Sequence, residues 1–259
     1  MMKKTLLSSS LLGSVLLLPT VTFAEETAAP STTTADQAPI TANWSGDAEL
    51  GFIQTSGNSD TQSLNGKFSL VRELEPSTTS LSLEALTSEE DGDTSKERYK
   101  AEVKYDYSIS KRSYVASVLD YEDDRFNGYE YQSTLAIGYG YHAWKDENLG
   151  KLDLELAPGH RRNVLEEKNE DGDKVEEGTV ARASLNLLLK LGDGAKFTEK
   201  FSVEAGDSST IYKSDMALHS TLVGKLAMKV NYQVTHSTDV PDGIDNTDSL
   251  VGVTLVYSF

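Results

Sequence analysis

Four histidines and no cysteine fix what chemistry this chain could do. Thiol catalysis, disulfides and thiolate metal sites are excluded. Acid–base or nucleophilic work would have to be built from His142, His160, His219 or His236 with a carboxylate and a hydroxyl. Such a site needs the imidazole within hydrogen-bond reach of both a reacting group and an orienting partner. Two arrangements offer a start: His236 with Asp239, three residues on, and His160 with Glu204, should their segments become neighbours. His142 lies beside Trp144, and His219 lies four residues from Asp215. An isolated histidine at a polar rim is ordinarily a solvated residue, so the sequence assigns no catalytic residue.

Metal chemistry is the next candidate. Asn169-Glu170-Asp171-Gly172-Asp173, followed by Glu176-Glu177, looks at first like a calcium loop. Its glycine is not at the sixth position, however, so the oxygen ligands fall out of register. The sequence therefore assigns no metal ligand and no cofactor-binding residue. Loose attraction of divalent cations to the acidic loops is expected.

The elements that would have to position these residues announce themselves at the C-terminus. In Val251–Phe259 (VGVTLVYSF), Val251, Val253, Leu255, Tyr257 and Phe259 share one face of a strand, and Gly252, Thr254 and Ser258 share the other. Apolar outward, small or polar inward, with a terminal aromatic, is the pattern of the closing strand of an outer-membrane β-barrel. The N-terminus agrees. Lys3 and Lys4 precede an apolar run from Leu6 to Leu18, and Thr22-Phe23-Ala24 supplies small residues for a signal peptidase. Residues 1–24 read as a cleaved secretory signal, too short to span as an anchor, and export to a Gram-negative outer membrane follows. Residues 25–43, rich in Thr, Ala, Pro and Ser, read as a disordered periplasmic leader. Losing Lys3 and Lys4 takes the formal charge from -17 to -19, which excludes nucleic acid as a partner because phosphate binding needs a basic surface.

Residues 44–259 divide into segments with period-two alternation, which is all-β patterning. Twelve strands are predicted, roughly 44–55, 61–74, 78–89, 95–109, 112–123, 128–143, 149–163, 178–191, 196–207, 210–222, 225–236 and 247–259. An even count places both termini on one side of a transmembrane antiparallel barrel. Short turns at Glu75-Pro76, Ser110-Lys111, Gly192-Asp193-Gly194 and Val223-Gly224 fall on the periplasmic side, and the longer acidic loops fall outside. Two aromatic belts follow: Tyr99, Tyr121, Tyr129, Tyr131, Tyr212 and Tyr232 outside, Trp44, Tyr107, Tyr141, Tyr257 and Phe259 at the periplasm. A soluble lipocalin-like barrel also alternates, but it would have to turn its charged face outward.

The inward face carries Arg98, Lys100, Glu102, Lys104, Asp106, Asp120, Glu122, Glu130, Asp153, Glu155, Arg161, Arg182, Lys190, Lys200, Glu204, Lys213, Asp215 and Lys229. Interspersed signs predict cross-strand ion pairs and a narrow or largely closed interior. A selective pore would show a ring of one sign. Neither the paired carboxylates of omptin-like proteases nor the serine signature of the outer-membrane phospholipase is present, so a rim hydrolase is the weaker alternative and a narrow small-solute channel the stronger one.

The segment Gly51-Phe52-Ile53-Gln54-Thr55-Ser56-Gly57-Asn58-Ser59-Asp60-Thr61 resembles the motif G-[YF]-x-x-T-x-G-N-[ST]-x-T of the YdiY-like family of salt-induced outer-membrane proteins. DYEDDRF at 120–126, Gly138-Tyr139-Gly140-Tyr141 and Asn246-Thr247-Asp248 agree, and the likeness runs over 44–259. The resemblance implies a non-enzymatic barrel with a structural role or a role in adaptation to salt or osmotic conditions, and carries over no site residues. Gly57-Asn58 is itself a hairpin-turn signal. The partners expected are membrane lipid, lipopolysaccharide and a barrel-assembly machinery that reads Tyr257 and Phe259.

Overall fold

The computed structural model describes residues 42–55, 61–90, 93–125, 127–169, 172–207, 209–241 and 243–259. The signal, most of the leader and the Gly57-Asn58 turn lie outside the described residues. Twelve antiparallel strands form one closed barrel in chain order. They are β1 (Asn43–Thr55), β2 (Thr61–Leu74), β3 (Ser77–Glu90), β4 (Asp93–Ser108), β5 (Ser113–Asp124) and β6 (Tyr129–Asp146), then β7 (Gly150–Leu165), β8 (Val175–Lys190), β9 (Ala195–Gly206), β10 (Thr210–Val223), β11 (Leu226–Ser237) and β12 (Thr247–Ser258). At 12 to 18 residues each strand exceeds the ~9–11 needed to cross a bilayer at a tilt. Among the described residues no helix is long and apolar enough to cross a membrane.

Alternation decides which face each side chain takes. Leu50 (63% exposed), Val251 (61%) and Leu255 (52%) project outward, whereas Thr254 (2%) and Val256 (3%) between them are buried inside. Such a wall, apolar outside and polar inside, matches lipid as the outer solvent. Arg72 sits over the Trp44 ring, 5.9 Å from its centroid, in the periplasmic belt. Tyr121 stacks on Tyr131 at 5.5 Å in the outer belt. Tyr129 corrects the expected belt: it is buried at 7% exposure, because the ladder slips between Tyr129 and Tyr131 and turns that ring into the barrel mouth.

Two wall positions break the ladder for stated reasons. Pro158 has no N–H to donate, and β6–β7 pairing skips from Ala136↔Gly159 to Tyr139↔Leu156 across it. At the seam, β1 and β12 pair only from Asp47↔Ser258 to Gly51↔Thr254, whereas β1 pairs with β2 from Asn43↔Glu73 to Thr55↔Thr61. Closure there is reinforced by the terminal residue. Phe259 N–H donates to Gly46 O at 2.9 Å, and its ring fills the space of the missing Gly46 side chain, where a Cβ would lie 2.5 Å from ring carbon. Phe68 stacks on its other side at 6.2 Å.

Candidate functional site

The inward charges meet across the lumen rather than only along neighbouring strands. Near the periplasmic end, Lys104 of β4 donates to Glu155 of β7, and to Asp106 at 3.0 Å. Tyr114 donates to the same Glu155 at 2.7 Å and Ser184 at 3.1 Å, so this carboxylate is held from β4, β5 and β8 at once. The Lys104 ammonium also lies 5.5 Å from the Tyr114 ring centroid. His142 stacks on Tyr114 with centroids 4.8 Å apart, and its Nδ1 is 2.6 Å from Asp153.

Higher up, Arg182 of β8 binds Asp120 of β5 and, at 3.0 Å, Glu204 of β9, which also accepts from Thr134 of β6 at 3.0 Å. Lys213 of β10 reaches Glu122 of β5 at 3.1 Å, and Lys100 approaches the same carboxylate at 3.2 Å. Arg98 of β4 donates to Glu84 at 3.0 Å and, on the far wall, to Gln233 of β11 at 3.3 Å. Lys229 pairs with Glu49 behind the β1–β12 seam. Val118, Ala136 and Ala157 form a small apolar patch among these charges.

Lys104–Glu155, Arg182–Asp120 and Lys213–Glu122 each join opposite charges from non-adjacent strands, so neither partner needs bulk water to satisfy it. Pairs of this kind gain little over well-packed apolar groups, but removing one partner strands a buried charge at a cost of about 3–5 kcal/mol. The bars therefore lock the barrel's cross-section. Three members of the expected inward set stay exposed: Glu130, at the ladder irregularity, pairs with Lys174 at the surface, Lys190 donates to Glu147 O, and Lys200 lies on the inward face with space for solvent beside β9.

The histidines form no catalytic set among the described contacts. His160 is exposed on the outward face of β7, while Glu204 is buried inside at 5%, so the wall separates them and the expected pairing is wrong. A one-residue difference in strand parity is enough to do this. His236 also faces outward, where its Nδ1 lies 2.7 Å from Thr247 Oγ1 and its ring 6.1 Å from that of Tyr212. Asp239 offers its backbone oxygen to Ser237. His219 is inside, 3.4 Å from Thr198. The His142–Asp153 pair was missed in the sequence: eleven residues separate the two, and only the β6–β7 register His142↔Asp153 joins them. Glu49, Lys67 and Glu84 were also absent from the expected lumen set, although alternation along β1, β2 and β3 places them inward.

In the acidic loop, Asn169 Oδ1 accepts the Asp173 N–H at 2.9 Å, which closes a turn. Among the described residues no group of three or more histidine or carboxylate side chains could hold a metal ion. At the mouth, Arg161 donates to Ser209 O at 2.7 Å and to its Oγ at 2.9 Å, tying the β9–β10 loop inward. Lys96 of β4 reaches Asp248 of β12 at 3.4 Å.

A closed twelve-stranded barrel with an apolar outer wall, interfacial aromatics and an ion-paired lumen defines a transmembrane β-barrel of the outer-membrane type. The chain belongs to the family described as "Protein of unknown function, DUF481", whose profile matches residues 48–259. It is 25% identical over 224 residues to the "Uncharacterized protein YdiY" of Escherichia coli (strain K12), covering 86% of each chain. Solved structures it resembles include the NanC porin (12% identity, TM-score 0.47, 82% of this chain and 97% of that one). Another is the COG4313 outer membrane channel from Pseudomonas putida F1 (12%, 0.47, 88% and 100%). A third is the translocator domain of the autotransporter NalP from Neisseria meningitidis (14%, 0.42, 84% and 88%).

Proposed function

We propose that this protein is a non-enzymatic barrel of the Gram-negative outer membrane, exported by a cleaved signal, whose lumen is closed to steady permeation and whose role is envelope structure or adaptation to ionic conditions. The observation that carries this reading is the set of trans-lumen bars: Lys104–Glu155, Arg182–Asp120, Lys213–Glu122 and Arg98–Gln233 cross the interior between non-adjacent strands. An ion moving along the axis would have to break them in turn, because among the described residues no ring of one sign offers it a replacement shell. Lipid and lipopolysaccharide would surround the wall, the acidic loops would gather divalent ions loosely, and Tyr257 with Phe259 would be read by the assembly machinery. Planar-bilayer recording of the refolded protein tests the reading. Brief, rare openings are expected, and a large steady conductance would replace it with a small-solute channel, which the solvent space beside Lys200 would then serve.

A further inference from the structure

The seam between β1 and β12 is paired over its lower part alone. Both strands run on past the last pair, Gly51↔Thr254: β1 stays paired with β2 up to Thr55↔Thr61, and β12 with β11 up to His236↔Thr247. The two therefore part above that row while each is held by its other neighbour, and they leave a fork that opens toward the outside. Thr254 lies four residues from Ser258 at the periplasmic end, a climb of roughly 10 Å at ~3.3 Å per residue and a ~40° tilt. The apolar band of such a barrel is ~25 Å tall, so the fork lies at the level of the outer leaflet.

Its two sides differ in chemistry. Toward lipid the lips are the exposed Phe52, Val251 and Val253. Toward the lumen the base of the fork is polar and uncharged. Asn65 of β2 lays its amide over Gly51, where a Cβ would meet Oδ1 at 2.0 Å, and Asn231 of β11 does the same over Gly252 at 2.5 Å. Asn231 is 4% exposed and Thr254 2%, yet Asn231 Oδ1 and Thr254 Oγ1 have no hydrogen-bond partner among the described residues. The charges around them are already engaged: Lys229 pairs with Glu49, Lys67 with Glu84, and Asp248, higher on β12, with Lys96, while Asp215 two strands away accepts from Gln233. The open strand edges add backbone N–H and C=O groups in alternation, and such groups are not tolerated in hydrocarbon without partners. Whatever meets them has to donate and accept, carry no charge of its own, and continue into a part that is at home between apolar lips.

We propose that the fork is a lateral binding site for a single-chain amphiphile with an uncharged, hydroxyl- or amide-bearing head, the head at Asn231 and Thr254 and the acyl chain between Phe52 and Val251. Entry is sideways from the bilayer and requires no passage through the lumen, so the site stands whether or not the barrel conducts.

The chain has no cysteine, so one bimane label can be placed through Val251→Cys at the lips or Leu83→Cys on the lipid-exposed wall of β3, in the full-length protein refolded into phospholipid vesicles. Two quenchers of one chain are compared: 1-(9,10-dibromostearoyl)glycerol, whose head donates and accepts, and 9,10-dibromostearate, whose carboxylate only accepts. The glycerol ester is expected to quench the label at 251 saturably and at a mole fraction at least about fivefold below that needed at 83, the fold-change of one neutral hydrogen bond, and the stearate to quench both positions alike. Thr254→Val keeps the shape, removes the hydroxyl and should erase that preference, with heat-modifiable migration as the check of folding. Cross-linking tests the fork itself, and decides with the two labels should Thr254→Val not fold. Phe52→Cys with Val253→Cys, the next pair in register, should stay reduced under mild oxidation, whereas Leu50→Cys with Leu255→Cys, inside the ladder, should join. The proposal is overturned by equal quenching at the two positions, by no discrimination between the quenchers, by a folded Thr254→Val with the wild-type preference, or by ready cross-linking of positions 52 and 253. A dimer trapped by chemical cross-linking in the same vesicles would also overturn it, by giving the open edges to a second copy.

Discussion

The β1–β12 seam and the rest of the wall solve the same closure problem by different means. Elsewhere the strands are held along most of their length, as in β2–β3 from Thr61↔Glu90 to Leu74↔Ser77. At the seam the ladder stops at Gly51↔Thr254, and side chains take over part of the load. Phe259 fills the Gly46 notch and stacks on Phe68, Ser258 donates to Asp47, and Lys229 reaches past β12 to Glu49. A ladder is backbone work and tolerates most residue types, whereas a notch and a buried ion pair depend on identity. Sensitivity to substitution should therefore concentrate where the two chain ends meet.

The largest effect should follow from emptying or blocking the notch. Deleting Phe259, or replacing Gly46 by Leu, removes the aromatic plug or its seat, so the seam loses its lower clasp. Outer-membrane yield should drop several-fold, with unfolded protein accumulating in the periplasm, as read by fractionation and heat-modifiable migration. Normal insertion of both variants would show that the short ladder closes the barrel unaided. Mid-wall substitutions such as Leu83→Ala, on a residue already exposed to lipid, should leave yield near wild type.

Next in size is the buried pair behind the seam. Glu49 and Lys229 have side chains 9% and 7% exposed, so Glu49→Gln leaves an ammonium without its countercharge inside the barrel. A loss of about 3–5 kcal/mol is expected by urea unfolding in detergent. Exchanging both partners for apolar residues of similar volume should recover much of it. A loss no larger than that of an exposed pair, such as Arg162–Glu177, would mean that water reaches the seam from within.

A further contrast is sharpened by the lumen bars. Neutralising Arg98, Lys100 and Arg182 together removes cations from bars that cross the interior and leaves Glu84, Asp120, Glu122 and Glu204 with fewer partners. Cation-selective openings should become frequent in planar bilayers, or the barrel should unfold at lower denaturant. Unchanged conductance with unchanged stability would remove these residues from the account of closure.

The smallest effect belongs to the acidic rim. Glu89, Glu90 and Asp93 crowd one extracellular edge, and Glu166, Glu167, Asp173, Glu176 and Glu177 another. Like charges within a Debye length of ~8 Å repel at physiological salt. Added magnesium, calcium or sodium should raise the melting temperature slightly, by about 1 kcal/mol or less of stability. A flat titration would cut the physical link to salt response, and saturation at one equivalent of calcium would reveal a specific site.

Most strand boundaries were legible because alternation is a local property. Strand β2 was expected at 61–74 and is found there, and β10 and β12 begin at 210 and 247 as expected. One error arose where the ladder slips. The irregularity beside Glu130 turned Tyr129 from the outer belt into the mouth; the His160–Glu204 pairing fails without any slip, since plain alternation from the inward Arg161 puts His160 on the outer face. A bulge is invisible to strict period-two counting, because it changes the parity of everything beyond it.

The sequence by itself determined the class of molecule and the two solvents of its wall. Each strand's alternation states which residues face hydrocarbon and which face the interior. Only the tertiary structure decided which charges meet. Lys104 with Glu155 and Arg182 with Asp120 join strands that no turn connects and no ladder pairs, so their acquaintance depends on barrel circumference, tilt and register. Those are properties of the closed sheet, set by all twelve strands together.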